Sequence, residues 1–309
     1  MISVIICTYR RPQYLRRTLE HLAKMPVTGL VWEVVVVDNA GCGETQRTVD
    51  DFSGRFSSIR CVVESNAGVA FARNRGWREA AGDIVAYLDD DCLVNPGWLA
   101  QIEAFFSTGP GKEKSTGLVG GRILLRFEME RPVWLSDALL PYLSQIDWGD
   151  QIELLKDATK WIGEGNLAVR RIVLDEAGGF PEALGRRKGS LLGHEGNAVR
   201  DELEKLGYVT WYNGGQQVEH LVFEERVASK RWLRKRAFWG GVSEAICHVR
   251  SGIVARKGKR RLAASYARLV CSFGTLRRLI GRQAETKQLE EQCDALFKLG
   301  YAVGLAFRS

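Results

Sequence analysis

Four short apolar runs alternate with segments of helical period, and this alternation most limits the folds open to the chain. The runs are rich in valine and isoleucine and almost continuously apolar, which is typical of strands buried on both faces of a parallel sheet. They cover residues 3–7, 33–38, 60–64 and 83–89. Segments of helical spacing lie between them, at 12–24, 44–56 and 69–81. The sequence therefore predicts an α/β fold with a Rossmann-like, mostly parallel sheet flanked by helices.

Polar segments directly follow all four predicted strands. They contain, in order, Thr8, Tyr9 and Arg10, then Asp38 and Asn39, then the run ESNAGVAFARNRG, and finally Asp89, Asp90 and Asp91. One such loop is ordinary, since an Asp after a strand is more often a turn former than a ligand. Parallel strands, however, end at one edge of a sheet, where α/β proteins bind ligands. The four segments together predict a ligand site at that edge.

The three adjacent aspartates need a positive partner, because neighbouring carboxylates at the end of a buried strand repel one another. Two kinds of partner fit. One is a metal ion that also holds an anionic substrate, and the other is a nearby Arg or Lys. The sequence leaves both open.

Basic residues are concentrated towards the C-terminus. Residues 229–282 contain fifteen Lys and Arg and one acidic residue, so this stretch has a net charge of +14 and the rest of the +7 chain has −7. The basic stretch suits phosphate-bearing lipid headgroups or nucleic acid. Because the acidic remainder is a poor surface for nucleic acid, we expect no nucleic-acid partner.

Three features favour a cytoplasmic protein that is soluble or bound to a membrane surface. The first residues lack the basic start and cleavage site of a signal peptide. No run reaches the ~18 apolar residues of a membrane-spanning helix. The seven cysteines form no C-x-x-C pair or Cys/His cluster, as is typical of reduced thiols.

Six segments carry motifs in a fixed order and cover most of residues 1–241. They read VIICTYRRPQYLRRTLEHL, EVVVVDNA, NAGVAFARNRGWREAAGDIVAYLDDD, GEGNLAVRR, LLGHEGNAVRDELEKLGY and VEHLVFEERVASKRWLRKRAFWGG. Together they resemble the family-2 glycosyltransferases of the GT-A fold. The resemblance implies a GT-A catalytic domain at 1–250, with a nucleotide-binding half at 1–91 and an acceptor-binding half at 92–250. It also implies an inverting transfer from a nucleotide diphosphate sugar, for which a UDP-sugar is the expected donor.

The resemblance implies that the first three polar segments build the nucleoside pocket. Asp38 would accept hydrogen bonds from the edge of the base, and Tyr9 would be able to stack on it. The other implied donor contacts are Thr8, Arg10, Asn39, Asn66, Gly68, Arg73, Asp89 and Asp90. The alternative interpretation, from the residues alone, is that NAG forms a turn before a helix and that Arg73 lies on the surface.

The three aspartates match the D-x-D motif of this family, with Asp89 and Asp91 as its ends. Carboxylate oxygens suit Mn²⁺ or Mg²⁺, either of which would stabilise the departing diphosphate as a Lewis acid. His220 matches a histidine that some GT-A enzymes use as a further metal ligand. The alternatives are that Asp91 only closes a turn at Asn95 and that His220 is structural.

The catalytic base is where the chain departs from the family pattern. Relatives carry a Glu-Asp pair after LLG, whereas here Glu195 aligns with the Glu and Gly196 with the Asp. We expect Glu195, or else His194, to take the proton of the acceptor hydroxyl. A shifted register and a loss of transfer are the alternatives.

The segment WIGEGNLAVRR resembles the family's Gly-x-Asn segment and implies two acceptor-side residues. Asn166 would line the sugar or acceptor pocket, and Trp161 would form a sugar-stacking wall. The irregular stretch 127–160 is typical of an acceptor-specific insertion, although its aromatic residues equally suit a core.

Residues 251–309 are expected to form a basic, amphipathic helical extension. Apolar residues recur at spacings of four and three from Leu262 to Ile280, and a second helix is predicted near 285–307. One interpretation is a helical hairpin packed on the catalytic domain or on a second subunit of a homo-oligomer. The other is attachment to an anionic membrane surface, where a lipid-linked acceptor would lie.

We therefore predict an inverting, metal-dependent glycosyltransferase that moves a sugar to a glycan or lipid-linked acceptor in polysaccharide or glycoconjugate biosynthesis. Two other functions stay open. A sugar nucleotidyltransferase also has acidic metal ligands, but it would follow the first strand with a Gly-rich loop, and TYRRP is found there instead. A non-catalytic sugar-nucleotide-binding or membrane-binding protein is the second, because Gly196 cannot take a proton.

Overall fold

The computed structural model describes residues 1–26, 29–157, 159–186, 190–255, 259–270 and 285–307. The chain forms two compact units. The sheet unit consists of Met1–Leu124, Gln145–Ala183 and Glu195–Leu221. The helical unit consists of Leu125–Ser144, Leu184–His194 and Val222–Ser309. Packing thus groups the chain differently from the predicted domains, and the division at residue 250 stays a functional prediction.

Nine strands of the described chain form one mixed sheet, with the order β3-β2-β1-β4-β8-β6-β9-β5 and with β7 paired to β9. The strands are β1 (Ile2–Thr8), β2 (Trp32–Asp38), β3 (Ile59–Val63), β4 (Ile84–Asp89), β5 (Cys92–Val94), β6 (Thr116–Phe127), β7 (Ile152–Leu154), β8 (Asn166–Arg170) and β9 (Val209–Val222). The four predicted strands are confirmed as β1 to β4, and they pair in parallel. Strand β8 pairs antiparallel with β4 and β6, and β5 and β7 pair antiparallel with β9. The sheet is parallel only in this first half, where strands and helices alternate regularly.

Helices of the sheet unit flank the sheet. They are α1 (Pro12–Leu22), α2 (Gly43–Asp50), α3 (Val69–Glu79), α4 (Trp98–Ser107), α5 (Arg171–Glu176) and α6 (Glu195–Lys205). The three predicted helices are confirmed as α1 to α3, and each ends earlier than predicted. Gly76 on α3 lies directly against Ile5 of β1, where a side chain would not fit. This close approach brings Arg73, one turn earlier on α3, to the carboxyl ends of the strands.

The helical unit contains α7 (Glu224–Val227), α8 (Lys230–Ser251), α9 (Lys259–Val270) and α10 (Glu285–Phe307), with a 3₁₀ helix at Asp137–Leu143. Glycines let α8 and α10 pack closely. A Cβ atom on Gly241 would overlap the backbone of Phe297, and one on Gly300 would overlap the backbone of Phe238. The backbones of these two helices are therefore in direct contact.

The structure describes only part of the predicted apolar stripe between Leu262 and Ile280. Leu262 and Tyr266 pack in one cluster with Tyr301 of α10, as expected for a packed hairpin. From residue 269 onward, the side chains of the stripe lie outside the described residues. No helix in the described ranges is long and apolar enough to cross a bilayer.

Candidate active site

The parallel register brings the predicted polar segments to one edge of the sheet. Thr8 at the end of β1 lies opposite Asp38 at the end of β2. On the other side of β1, Cys7 lies opposite Asp89 at the end of β4. The first, second and fourth polar segments therefore meet, as the sequence predicted.

An arginine supplies the positive charge that Asp90 and Asp91 need. Arg11 donates from Nη1 to Asp90 Oδ1 and from Nη2 to Asp91 Oδ2, both at 2.8 Å. Thr8 donates to the other oxygen of Asp90 at 2.7 Å. Burial raises the pKa of Asp90 to about 7, because desolvation and repulsion from Asp91 and Asp89 outweigh the attraction of Arg11. Sequence reasoning missed Arg11, although it directly follows the predicted Arg10.

Asp91 also lies beside the predicted histidine. Strand β5 pairs antiparallel with β9, so Cys92 lies opposite His220. His220 Nε2 is 3.3 Å from Asp91 Oδ1, and the donor atoms of Asp91, Cys92 and His220 lie within 4.8 Å of one another. The carboxylate and the imidazole fit a divalent cation such as Mn²⁺, whereas a thiol fits softer ions. Asp89, predicted as a ligand, is not part of this group.

Asp89 instead belongs to a second cluster, which is centred on Arg73. Arg73 donates from Nη1 to Glu195 Oε1 at 2.8 Å, and its Nη2 is 3.4 Å from Asp89 Oδ1. Only 5% of Arg73 is exposed, so it is not the surface residue that the alternative reading assumed. Burial alone would lower the pKa of Arg73, but the charges of Glu195, Glu164 and Asp89 raise it above its ordinary value. The guanidinium therefore stays charged at this buried position.

Glu164 is a member of the Arg73 cluster that sequence reasoning missed. The backbone N–H of Gly196 donates to Glu164 Oε1 at 2.5 Å. A Cβ atom on Gly165 would lie 2.8 Å from Asp89 Oδ2, so the chain around Glu164 passes directly over that aspartate. The signal in the sequence was a carboxylate between two glycines in GEGN, the segment from which only Asn166 was selected.

The predicted nucleoside residues lie in the loops after β2 and β3, where they shape the backbone. Asp38 accepts hydrogen bonds from the N–H groups of Ala40, Gly41 and Cys42, at 2.9, 3.1 and 2.7 Å. Asn39 accepts one from Gly68 at 2.8 Å, and its amide donates to the carbonyls of Glu64 and Asn66. The Asp38 carboxylate therefore binds the N–H groups of the turn that follows it, and it does not present two unoccupied oxygens to a base.

The residues after β1 contrast with these buried ones. Tyr9 is 51% exposed, and the guanidinium of Arg10 lies 5.5 Å from the centre of its ring. Arg10 has a φ of 54°, the left-handed region that residues other than glycine rarely adopt. This exposed pair is available to a ligand at the sheet edge.

The two predicted acceptor residues differ in their burial and contacts. Asn166 is 0% exposed; its side-chain oxygen accepts from Trp98 and Gln216, and its amide donates to the carbonyls of Arg122 and Gln216. It ties strands together and does not line a pocket, which corrects the prediction. Trp161 is partly exposed, and its ring packs edge-on against Trp148 at 4.9 Å.

The two predicted bases also differ. Glu195, the first residue of α6, is 3% exposed and paired with Arg73. His194 belongs to the helical unit, has a φ of 68°, and accepts a contact from Cys247 Sγ at its carbonyl. The catalytic role of each stays a prediction.

Comparison with known sequences identifies relatives over most of the chain. The sequence profile of "Glycosyl transferase family 2" matches residues 3–172, more than half of the chain. A glucosyl-dolichyl phosphate glucuronosyltransferase from Haloferax volcanii is 26% identical over 250 residues, covering 79% of this chain and 76% of the relative. A pre-mycofactocin glycosyltransferase from Mycobacterium tuberculosis is 27% identical over 245 residues, covering 78% of this chain and 46% of the relative. The chain thus spans less than half the length of the mycobacterial relative.

Solved structures share the fold at low sequence identity. A mannosyltransferase from Pyrobaculum calidifontis, in complex with GDP-Man and Mn²⁺, aligns with a TM-score of 0.52 and 18% identity over 98% of this chain and 73% of that chain. Residues 1–349 of TarS from S. aureus, in complex with UDP, align with a TM-score of 0.53 and 16% identity over 99% of this chain and 91% of that chain. These likenesses confirm the predicted GT-A fold.

Proposed function

The chain belongs to glycosyl transferase family 2 and is a glycosyltransferase, and we propose that it moves a sugar, with inversion, from a nucleotide diphosphate sugar to a hydroxyl of a glycan or lipid-linked acceptor. One observation carries the proposal. Asp89, Asp90 and Asp91 meet Arg11 and Arg73 at the carboxyl edge of the parallel strands. Carboxylates accept hydrogen bonds from sugar hydroxyls and guanidinium groups bind phosphates, so such an edge suits a sugar nucleotide.

The donor nucleoside would lie over the loops that follow β1, β2 and β3. Tyr9 offers an exposed ring for stacking on a base, and Arg10 lies beside it. Asp38 would act by holding the loop Ala40–Cys42 in place, because its oxygens bind that loop. The remaining implied contacts, Thr8, Asn39, Asn66 and Gly68, would shape the same surface.

The diphosphate would lie near Asp91, where its charge needs compensation. Asp91 and His220 are the residues that would hold a divalent cation. When bound, Mn²⁺ or Mg²⁺ would supply Lewis-acid stabilisation to the departing diphosphate. Arg11 is 27% exposed, so its side chain is able to turn from the aspartates to a phosphate when the donor arrives.

The proposal of a lipid-linked acceptor has support from the Haloferax volcanii relative, whose name specifies a glucosyl-dolichyl phosphate. A lipid-linked acceptor would bring the enzyme to the cytoplasmic face of a membrane. The basic stretch 229–282 would then face anionic lipid headgroups. Assembly into a homo-oligomer through the C-terminal helices is the alternative use of that region.

Donor binding and turnover test this function. In a thermal-shift screen of UDP-, GDP- and dTDP-sugars with and without Mn²⁺, a donor at ~100 times its Kd should add about 2.7 kcal/mol to the stability. UDP-sugars are expected to give the largest shift, and only with Mn²⁺ or Mg²⁺. Product analysis then separates the functions: a glycosyltransferase releases nucleoside diphosphate, a nucleotidyltransferase pyrophosphate, and a binding protein neither.

A further inference from the structure

Three carboxylates surround the buried guanidinium of Arg73, and they differ in exposure. Glu195 is 3% exposed, whereas Asp89 and Glu164 are partly exposed. Transfer to an acceptor hydroxyl needs a base within hydrogen-bond reach of that hydroxyl. A base must therefore be accessible to the acceptor as well as ionised.

Burial and pairing make Glu195 a poor base. Its Oε1 accepts from Arg73 Nη1 at 2.8 Å. A proton placed on this carboxylate would leave the buried guanidinium of Arg73 short of its main partner, and breaking a buried ion pair is costly. Glu195 instead holds Arg73 in place.

Glu164 combines exposure with a fixed position. Its Oε1 accepts from the N–H of Gly196 at 2.5 Å, in the first turn of the eleven-residue helix α6. The N–H groups in the first turn of a helix stabilise a nearby negative charge. One oxygen of Glu164 accepts this bond, and the residue is partly exposed.

Gly196 makes room for this carboxylate, and Gly165 lets the chain pass Asp89. A Cβ atom on Gly196 would lie 2.9 Å from Glu164 Oε1 and 3.0 Å from its Cγ, so any side chain at 196 would displace Glu164. A Cβ atom on Gly165 would press on Asp89. The chain next to Glu164 therefore passes close to Asp89 at the end of β4.

We propose that Glu164 is the catalytic base, an inference that rests on the proposed function. Its carboxylate takes the proton of the acceptor hydroxyl while that oxygen bonds to the anomeric carbon of the donor sugar. The bond from this carbon to the diphosphate oxygen breaks, and the nucleoside diphosphate leaves with the electron pair. Glu164 then releases its proton to water.

The first test replaces Glu164 with glutamine, which keeps the shape but cannot take the proton. Release of nucleoside diphosphate is measured from a panel of UDP-sugars and GDP-mannose, with glucosyl dolichyl phosphate or water as acceptor. Glu164→Gln is expected to lower kcat by about two to four orders of magnitude and to change donor Kd less than threefold. Glu202→Gln, at an exposed site on α6, is the control and should retain wild-type kcat.

The second test moves the carboxylate and asks for a gain of activity. Gly196→Asp alone would clash with Glu164 and should lower turnover. Combined with Glu164→Gly, it places a carboxylate in the vacated space, and the double variant should turn over at least tenfold faster than Glu164→Gly alone. A variant that merely misfolds would show no such rescue.

Several results would overturn the assignment. Near-normal kcat in Glu164→Gln would do so, as would a loss of turnover matched by an equal loss of donor affinity. A larger loss of kcat in Glu195→Gln than in Glu164→Gln would assign the base to Glu195. A wild-type protein that releases no nucleoside diphosphate from any donor would instead overturn the proposed function, and this inference with it.

Discussion

Arg11 and Arg73 both hold aspartates at the end of β4, but they do so in different surroundings. The Arg11 side chain is 27% exposed and binds Asp90 and Asp91. The Arg73 side chain is 6% exposed and binds Asp89 and Glu195. Solvent reaches the side chain of Arg11, although its two aspartates are buried, whereas Arg73 and Glu195 are both buried. The comparison indicates that Arg11 is an exchangeable counter-charge and Arg73 a fixed one.

The largest expected effect comes from removing the fixed arginine. Arg73→Ala leaves the carboxylate of Glu195 buried without its guanidinium, which should lower the free energy of unfolding by about 3–5 kcal/mol. Arg11→Ala also leaves buried carboxylates, those of Asp90 and Asp91, without a guanidinium, but it should cost less because Asp90, with a pKa raised to about 7, can be neutralised by a proton. Urea denaturation of both variants measures the difference, and equal costs would contradict the distinction between the two arginines.

A smaller effect is expected when Asp91, an ion-pair partner of Arg11, is changed. Asp91→Asn removes one charge from the proposed cation site and should lower turnover about 100-fold or more while the protein stays folded. Asp51→Asn, at an exposed ion pair with Arg16, is the control. Full activity of wild-type protein in excess EDTA would rule out the metal part of this prediction.

Asp90, which Arg11 binds, should also give the stability a pH dependence. The pKa of Asp90 is raised to about 7 in the folded protein, with desolvation by burial as the main cause. The folded state therefore binds a proton that the unfolded state has lost, and the free energy of unfolding from this group falls as pH rises from about 4 to about 7. Asp90→Asn should remove this slope.

Urea denaturation at pH 5 and pH 8, in EDTA, measures this slope for wild type and for Asp90→Asn. Wild type should lose more stability than the variant between these two values. An identical change in both proteins would mean that Asp90 does not carry the shift.

The smallest expected effect is at Arg75, two residues from Arg73 on the same helix. Arg75 forms an i,i+4 pair with Glu79, and its side chain is 44% exposed. Because solvent screens such a pair, Arg75→Ala should change the free energy of unfolding by less than about 0.5 kcal/mol. A cost close to that of Arg73→Ala would show that helix α3 itself, and not burial of the ion pair, explains the loss at Arg73.

The sequence predicted the elements and the edge of the site because both depend on local patterns. Apolar runs such as 33–38 predicted strands, and parallel strands necessarily end at the same edge. The sequence predicted that the aspartates have either a metal ion or a nearby Arg or Lys as their positive partner. It did not identify Arg11 as that residue. Among forty-four Lys and Arg residues, no local pattern indicates which one turns back onto a strand end.

Contacts that depend on register or on distant segments could not be predicted. His220 joins Asp91 and Cys92 only because β5 and β9 pair with this particular offset. Glu164 meets Gly196 across 32 residues, and neither position has a local signal for the other. The motif also misled at Asn166, since an amide that bridges strands and one that lines a pocket have the same sequence.

The glycine contacts between α8 and α10 have a consequence for how the helical unit opens. With Gly241 against Phe297 and Gly300 against Phe238, neither helix is able to rotate or slide along the other without a steric clash. Their amide protons should therefore exchange with solvent in a single cooperative opening, and not by gradual fraying from the chain end. In a hydrogen-exchange experiment, the two helices should show the same opening free energy although more than thirty residues separate them in the sequence.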